Sequence, residues 1–175
     1  MRRRAPRLTM PADNASLSRF PEPSASPGFV LWQVAITWQR AIRHALEPLG
    51  LTHAQFVLLA SSAWLTRERG HPPVTQRDIA EHARTDAVMT SEVLRALEKM
   101  GYLERQPHPD DARARCIEVT ATGRRLARRA FPVVEAVDAR FFATATPELR
   151  ALAGLLSPVA APPAANSRAP ADISR

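Results

Sequence analysis

Apolar residues recur along this chain in blocks with the period of helices, and the blocks are cut by Gly, Pro and capping residues. From residue 27 to about 49, Val34, Trp38, Ile42 and Ala45 mark one stripe at spacings of three and four. Phe29, Trp32 and Ile36 mark another. Apolar residues on more than one side predict a helix with more than one partner, and in so small a protein the second partner is expected to be another subunit. Gly50 ends this helix at C′. Thr52-His53-Ala54-Gln55 is a T-x-x-Q capping box that opens a second helix. Phe56, Leu59, Ala60 and Ala63 lie on one face of it, with Val57 and Trp64 at the edges. Residues 67–73 read as a loop, because Gly-His-Pro-Pro cannot continue a helix, and Val74 is expected to pair as a very short strand.

The central stretch is residues 75–123. Thr75 caps a third helix with Asp78 at N3, and Ile79, Ala80 and Ala83 are its inward side. Arg84 and Thr85 make a tight turn. Thr85 is expected to cap a fourth helix, with Asp86 in its first turn, where negative charge suits the macrodipole. Met89, Val93, Leu97 and Met100, with Leu94 beside them, form the core stripe. The opposite face is Ala87, Ser91, Arg95 and Glu98, with Thr90 at one margin. Gly101 closes the helix. Residues 102–106 and 116–119 read as strands around a polar, turn-prone loop at 107–115, with Leu103, Ile117 and Val119 facing the core. A long helix follows from Thr120 to about Ala143, with a stripe of Leu126, Ala130, Val133, Val134, Val137 and Phe141 and a local bend at Pro132. Pro147 starts a last helix ending at 155 or 156. The class is therefore mainly α with a small β wing. Helix, turn, helix, strand, loop, strand is the order of a winged helix-turn-helix, which places one helix in the DNA major groove.

Composition sharpens this in places. The 175 residues carry a formal charge of +7, but residues 1–26 hold +3 of it and residues 75–129 only +2, from eleven basic and nine acidic side chains. The expectation of DNA binding rests on pattern rather than bulk charge. Lys99 is the sole lysine, so the basic side chains suit forked contacts to phosphate and guanine. Residues 1–26 and 157–175 are rich in Pro, Ala and Ser without periodicity and are expected to be disordered tails, and Met10 is a possible alternative start. Cys116 is the one cysteine, so an intramolecular disulfide and a thiolate metal cluster are both excluded. His71, His82 and His108 lack metal-ligand spacing, and no metal or cofactor is expected. Apolar runs are too short to span a bilayer, no apolar core follows Arg2-Arg3-Arg4, and a cytoplasmic location is expected. A Gly-rich phosphate loop and a nucleophile elbow are absent, so nothing motivates an enzyme.

At LTHAQFVLL (51–59), VTQRDIAEHA (74–83), VLRALEKMGYLERQPHPDDARAR (93–115) and VTATGRRL (119–126) the chain resembles the MarR family of transcription factors. The likeness covers about 29–156, and its most specific part is Asp111-x-Arg113 followed by Thr120 and Gly123. The resemblance implies an obligate homodimer in which residues 27–50 and 120–156 dimerise and residues 51–119 form a DNA-binding lobe. It also implies a repressor on a palindromic operator, released by a small, often aromatic effector in a crevice between the dimerisation helices and the lobe. Some members sense peroxides through a cysteine in the first helix, which this chain lacks. Cys116 reads instead as a small buried hydrophobe.

On this reading Arg113 reaches the minor groove from the wing tip and Asp111 holds it by an ion pair; the bland alternative is a solvated surface pair. Arg115 is a phosphate contact or a solvated strand residue. Thr90, Ser91 and Arg95 are expected to contact bases and phosphates, with Ala87 meeting a thymine methyl or permitting close approach. Thr75, Gln76 and Arg77 are phosphate candidates, Thr75 also as a cap. Arg124, Arg125, Arg128 and Arg129 form either a solvated helix face or a phosphate-facing patch. Trp32, Trp38, His53 and Trp64 are candidate effector contacts, against the plainer reading of core, interface and capping residues. The rival to a DNA-binding regulator is a winged-helix module that docks to protein, which the low charge of residues 75–129 favours.

Overall fold

The computed structural model describes residues 18–67, 72–109 and 115–143. The elements are α1 (Pro27–Leu46), α2 (His53–Leu65), α3 (Gln76–Ala83), α4 (Ala87–Lys99), β1 (Leu103–Pro107), β2 (Arg115–Val119) and α5 (Ala121–Phe141). The expected helix at 147–156, the tail at 157–175 and most of the leading tail lie outside the described residues. Within the leading tail, Pro23–Ala25 forms a 3-10 turn where irregular chain was expected, and Pro27 then starts α1 at a position that needs no backbone donor.

Only the second half of α1 packs inward, through the fully buried Ile42 and Leu46. Its first half leaves Phe29, Val30, Leu31, Trp32, Val34 and Ile36 exposed. The helix tightens into a 3-10 turn at Glu47–Leu49 and ends at Gly50, whose φ of +66° is left-handed.

The capping box of α2 forms as read: the Gln55 amide donates to Thr52 Oγ1 at 3.2 Å and the Thr52 amide to Gln55 Oε1 at 2.9 Å. Leu51 and Phe56, both buried, stand at the N′ and N4 positions of a hydrophobic staple. The one-faced reading of α2 is too narrow. Leu58, Ser61 and Ser62 are buried as well as Phe56 and Leu59, because α2 is central and meets α1, α3, α4, α5 and β2. The Ser62 hydroxyl is satisfied within the helix, its Oγ donating to the Leu58 carbonyl at 2.7 Å. Each fully buried leucine here, such as Leu58, stabilises the fold by about 2 kcal/mol.

Strands β1 and β2 pair antiparallel, with Leu103 opposite Val119 and Pro107 opposite Arg115. Leu103, Ile117 and Val119 are buried as the alternation predicts. Cys116 breaks the alternation and is buried too. The cause is a third segment: the Ile117 amide donates to the Val74 carbonyl at 2.7 Å and Thr75 bridges Cys116, so the far edge of β2 is covered.

The T-x-x-G motif acts as a clamp. Thr120 Oγ1 accepts from the Gly123 amide at 3.0 Å as the N-cap of α5, and donates to the Gly101 carbonyl at 2.8 Å. A side chain at Gly123 would collide with the Tyr102 carbonyl oxygen. The start of α5 is thereby pressed onto the turn that leaves α4. Pro132 sits within α5 on its exposed side, so its missing donor costs no buried hydrogen bond to a core group.

Candidate DNA-binding site

The helix-turn-helix is built from α3, a short turn and α4. Thr75 and Asp78 cap α3 reciprocally: the Asp78 amide donates to Thr75 Oγ1 at 3.3 Å, and both the Thr75 amide and hydroxyl donate to Asp78 Oδ2 at 2.7 Å. The carboxylate therefore does the work expected of Glu or Gln at N3. Arg84 ends α3 in the left-handed region at φ 51°, which a non-glycine residue enters at a cost and only where the turn demands it. The turn is then held by the Thr85 amide donating to the Ala80 carbonyl at 3.0 Å.

Two expectations about this turn are corrected. The cap of α4 is Asp86, not Thr85: Asp86 Oδ1 accepts from the Met89 amide at 2.8 Å. Thr90 does not reach outward. It is 0% exposed, and its hydroxyl bonds to the Asp86 carbonyl at 2.6 Å and shares a 2.7 Å hydrogen bond with Thr85 Oγ1. A β-branched polar residue at the margin of an amphipathic face was free to turn either way in sequence, and the Thr85–Thr90 pair turns it in. Consequently α4 is rotated from the predicted stripe. Thr90, Leu94 and Leu97 are buried, Met89 and Val93 are half-buried, and Met100 is exposed.

The outward face carries Ala87 and Arg95, both exposed, and Ser91, half-buried between them. Val88, 68% exposed, belongs to the same face and was missed. Its spacing of three and four before Ser91 and Arg95 is the signal that could have found it. A valine there offers an apolar surface of the kind that meets thymine methyls. Gln76 reaches from α3 toward the start of α4, its Nε2 lying 3.5 Å from the Ala87 carbonyl, and Arg77 is exposed beside it.

The wing hangs from α4 by an ion pair that periodicity could not predict. Arg105 Nε on β1 donates to Glu98 Oε2 at 3.0 Å. Arg115 is exposed at the outer end of β2. Asp111 and Arg113 lie outside the described residues.

The four candidate effector residues do not converge. Trp38 and His53 meet edge to face at 5.1 Å between ring centres, and the Trp38 indole donates to Asp138 Oδ1 at 2.8 Å. Burial pushes the His53 pKa down, Asp138 opposes the shift and Arg43 adds to it. Trp32 stands apart, exposed and stacked on Phe29 at 5.9 Å. Trp64, exposed at the end of α2, has the Arg67 guanidinium 4.6 Å above its ring. It lines a cleft of about 320 Å³ with Phe56, Val57, Ala60, His82 and Phe131, where α2, α3 and α5 meet. A second cleft, of about 480 Å³, is lined by Arg40, Arg43, His44, Glu47 and Thr52. Long-range packing makes the first cleft, so periodicity within one helix could not reveal it, whereas the second is formed locally by the end of α1 and the turn that follows. Among the described residues no cluster of His, Cys, Asp and Glu could hold a metal, and no helix is long and apolar enough to cross a membrane.

Comparison with known proteins places this geometry. Residues 51–114 match the model of the MarR family. The chain is 41% identical over 138 residues to YdcH, an HTH-type transcriptional regulator of Bacillus subtilis (strain 168), covering 79% of this chain and 92% of that one. It is 34% identical over 119 residues to the HTH-type transcriptional repressor Rv2887 of Mycobacterium tuberculosis (strain ATCC 25618 / H37Rv), covering 68% and 81% respectively. Among solved structures, CouR of Rhodococcus jostii RHA1, bound to p-coumaroyl-CoA, superposes with a TM-score of 0.71 at 26% identity over 82% of this chain and 97% of CouR. The Rv2887 complex with salicylic acid superposes with a TM-score of 0.54 at 32% identity, over 77% and 96%. Matched along its sequence to regulators of one kind and carrying their winged helix-turn-helix, this chain belongs to the MarR family of transcriptional regulators.

Proposed function

We propose that the protein is a homodimeric, ligand-responsive repressor that binds a palindromic operator. The observation that carries this is the outward face of α4: small or polar side chains at its groove-entering end, set on a turn locked by Thr85, Asp86 and Thr90. Short side chains there let the helix backbone approach base edges. Ala87, Ser91 and Arg95 are the base-reading set, Gln76 and Arg77 the phosphate contacts at the start of α3, and Thr75 their cap. Arg113, oriented by Asp111, enters the minor groove, and Arg115 meets the backbone beside it.

Dimerisation is assigned to residues 27–50 and 120–156, since the first half of α1 exposes Phe29, Leu31 and Trp32 on one chain. Two lobes carried this way put two α4 helices about one DNA turn apart, which a palindrome matches. The effector reading draws on the relatives seen with salicylic acid and with p-coumaroyl-CoA. The Trp64–Phe131 cleft joins α2 and α3 of the lobe to α5, so an aromatic occupant there would bias the lobe separation, provided it binds the two spacings unequally.

The test is a gel shift with fragments flanking the protein's own gene, followed by a salt titration. Specific binding at low salt is expected, and R113A should lower the salt slope by about 1 for each protomer. Variants of Ser91 or Arg95 should change which operator bases are preferred. A protein that shifts no fragment at low salt is instead a protein-docking module.

A further inference from the structure

We infer that the arginine row on the first half of α5 is a second DNA contact, which grips the phosphate backbone and supplies the positive charge that the helix-turn-helix itself lacks. The inference rests on the proposed function and concerns residues outside the base-reading set.

Charge distribution is the first reason. Residues 75–123, which hold α3, α4 and the wing, carry seven basic and nine acidic side chains, a formal charge of −2. Asp86, Glu92 and Glu98 lie on α4 itself or at its cap. A lobe of that sign is repelled by the DNA polyanion at long range. Arg124, Arg125, Arg128 and Arg129 bring residues 75–129 to +2, so these four side chains decide the sign of the lobe.

Their presentation is the second reason. All four are exposed, while Gly123, Leu126, Ala127 and Ala130 take the buried side of the same turns. Between residues 121 and 134 the helix carries no acidic residue. Among the described residues none of the four has a carboxylate partner, and Arg125 donates only to Thr122 Oγ1, at 2.9 Å. An all-arginine face without counter-charge concentrates anions and suits the forked geometry of phosphate.

The third reason is mechanical. The Thr120–Gly101 hydrogen bond and the close approach of Gly123 to Tyr102 fix the first turn of α5 to the exit of α4. The row is therefore tied to the recognition helix, whose last residue is the exposed Lys99. Phosphate held by the row would set the depth and angle of α4 without reading sequence.

The experiment compares the full-length protein with two quadruple variants, Arg124, Arg125, Arg128 and Arg129 all →Gln and all →Lys, on the same operator fragment. Log affinity is plotted against log salt concentration, and base preference is profiled in parallel. The Gln set should lower the slope by at least about 2 for the dimer, at about 0.9 for every phosphate that is no longer neutralised. Its base preferences and melting temperature should not change, and the Lys set should keep most of the slope. An unchanged slope in the Gln set overturns the inference and leaves a solvated helix face. An equal drop in both sets also overturns it, because the Lys set keeps the charge. Wild-type protein that binds no DNA overturns the functional reading instead.

Discussion

Trp38 on α1 and Asp138 on α5 are one hundred residues apart in the chain, and the indole N–H of one donates to the carboxylate of the other at 2.8 Å. The bond joins the first and last described helices beneath the start of α2, where His53 packs edge to face on the same indole. Trp38→Phe keeps most of the ring packing and removes the donor. A hydrogen bond to a charged group of this kind contributes about 1.5–3 kcal/mol, discounted toward the lower figure here because the site is only partly buried. Asp138→Asn, which keeps an acceptor, should cost less. A double-mutant cycle of W38F with D138A by urea unfolding checks the pair, and additive effects of those two substitutions would mean the side chains are not coupled.

His53 gives the stability a pH dependence of known sign. Its pKa in the fold is below the ordinary 6.5 because burial disfavours the imidazolium, Asp138 only partly offsetting this. The unfolded chain then binds the proton first. The contribution is full above about pH 6.5 and is lost as pH falls through the lower, folded value. H53Q should flatten this part of the profile, measured as denaturation midpoints between about pH 7.5 and 5. An unchanged profile would place the titration elsewhere.

Thr90 separates a structural from a reading role. T90V keeps the shape and deletes a hydroxyl that is buried with two partners. Stability should fall by about 1–2 kcal/mol. The operator preference of the protein that remains folded should match wild type, in contrast to Ser91 and Arg95 variants. A shifted preference with unchanged stability would put Thr90 back on the DNA face.

Gly123 tests the clamp between α4 and α5. Its φ is ordinary, so the requirement is space, not conformational freedom: an alanine methyl would meet the Tyr102 carbonyl oxygen, which is backbone and cannot swing away. G123A should destabilise by about 3 kcal/mol, the upper part of the usual overpacking range. Thermal unfolding at or near the wild-type midpoint would mean that α5 can shift without penalty.

Much of the fold was legible from local chemistry. The capping boxes at Thr52 and Thr75 and the stops at Gly50 and Gly101 depend on residues within one turn of each other, so sequence alone determined them. The paired strands and the buried Leu103, Ile117 and Val119 followed from a two-residue period. The family likeness was readable for the same reason, since its motifs are short and contiguous.

What tertiary structure alone decided were the choices with two locally equal answers. Thr90 could face either way until Thr85 supplied a partner. Asp86 caps α4 through the Met89 amide, while the Thr85 hydroxyl is taken up by Thr90 instead. The four aromatic and imidazole candidates were divided between separate places by the packing of α1, α2 and α5. Periodicity reports that a face is apolar, but not which neighbour will cover it. That depends on residues far apart in the chain meeting one another, which happens only once the helices have packed.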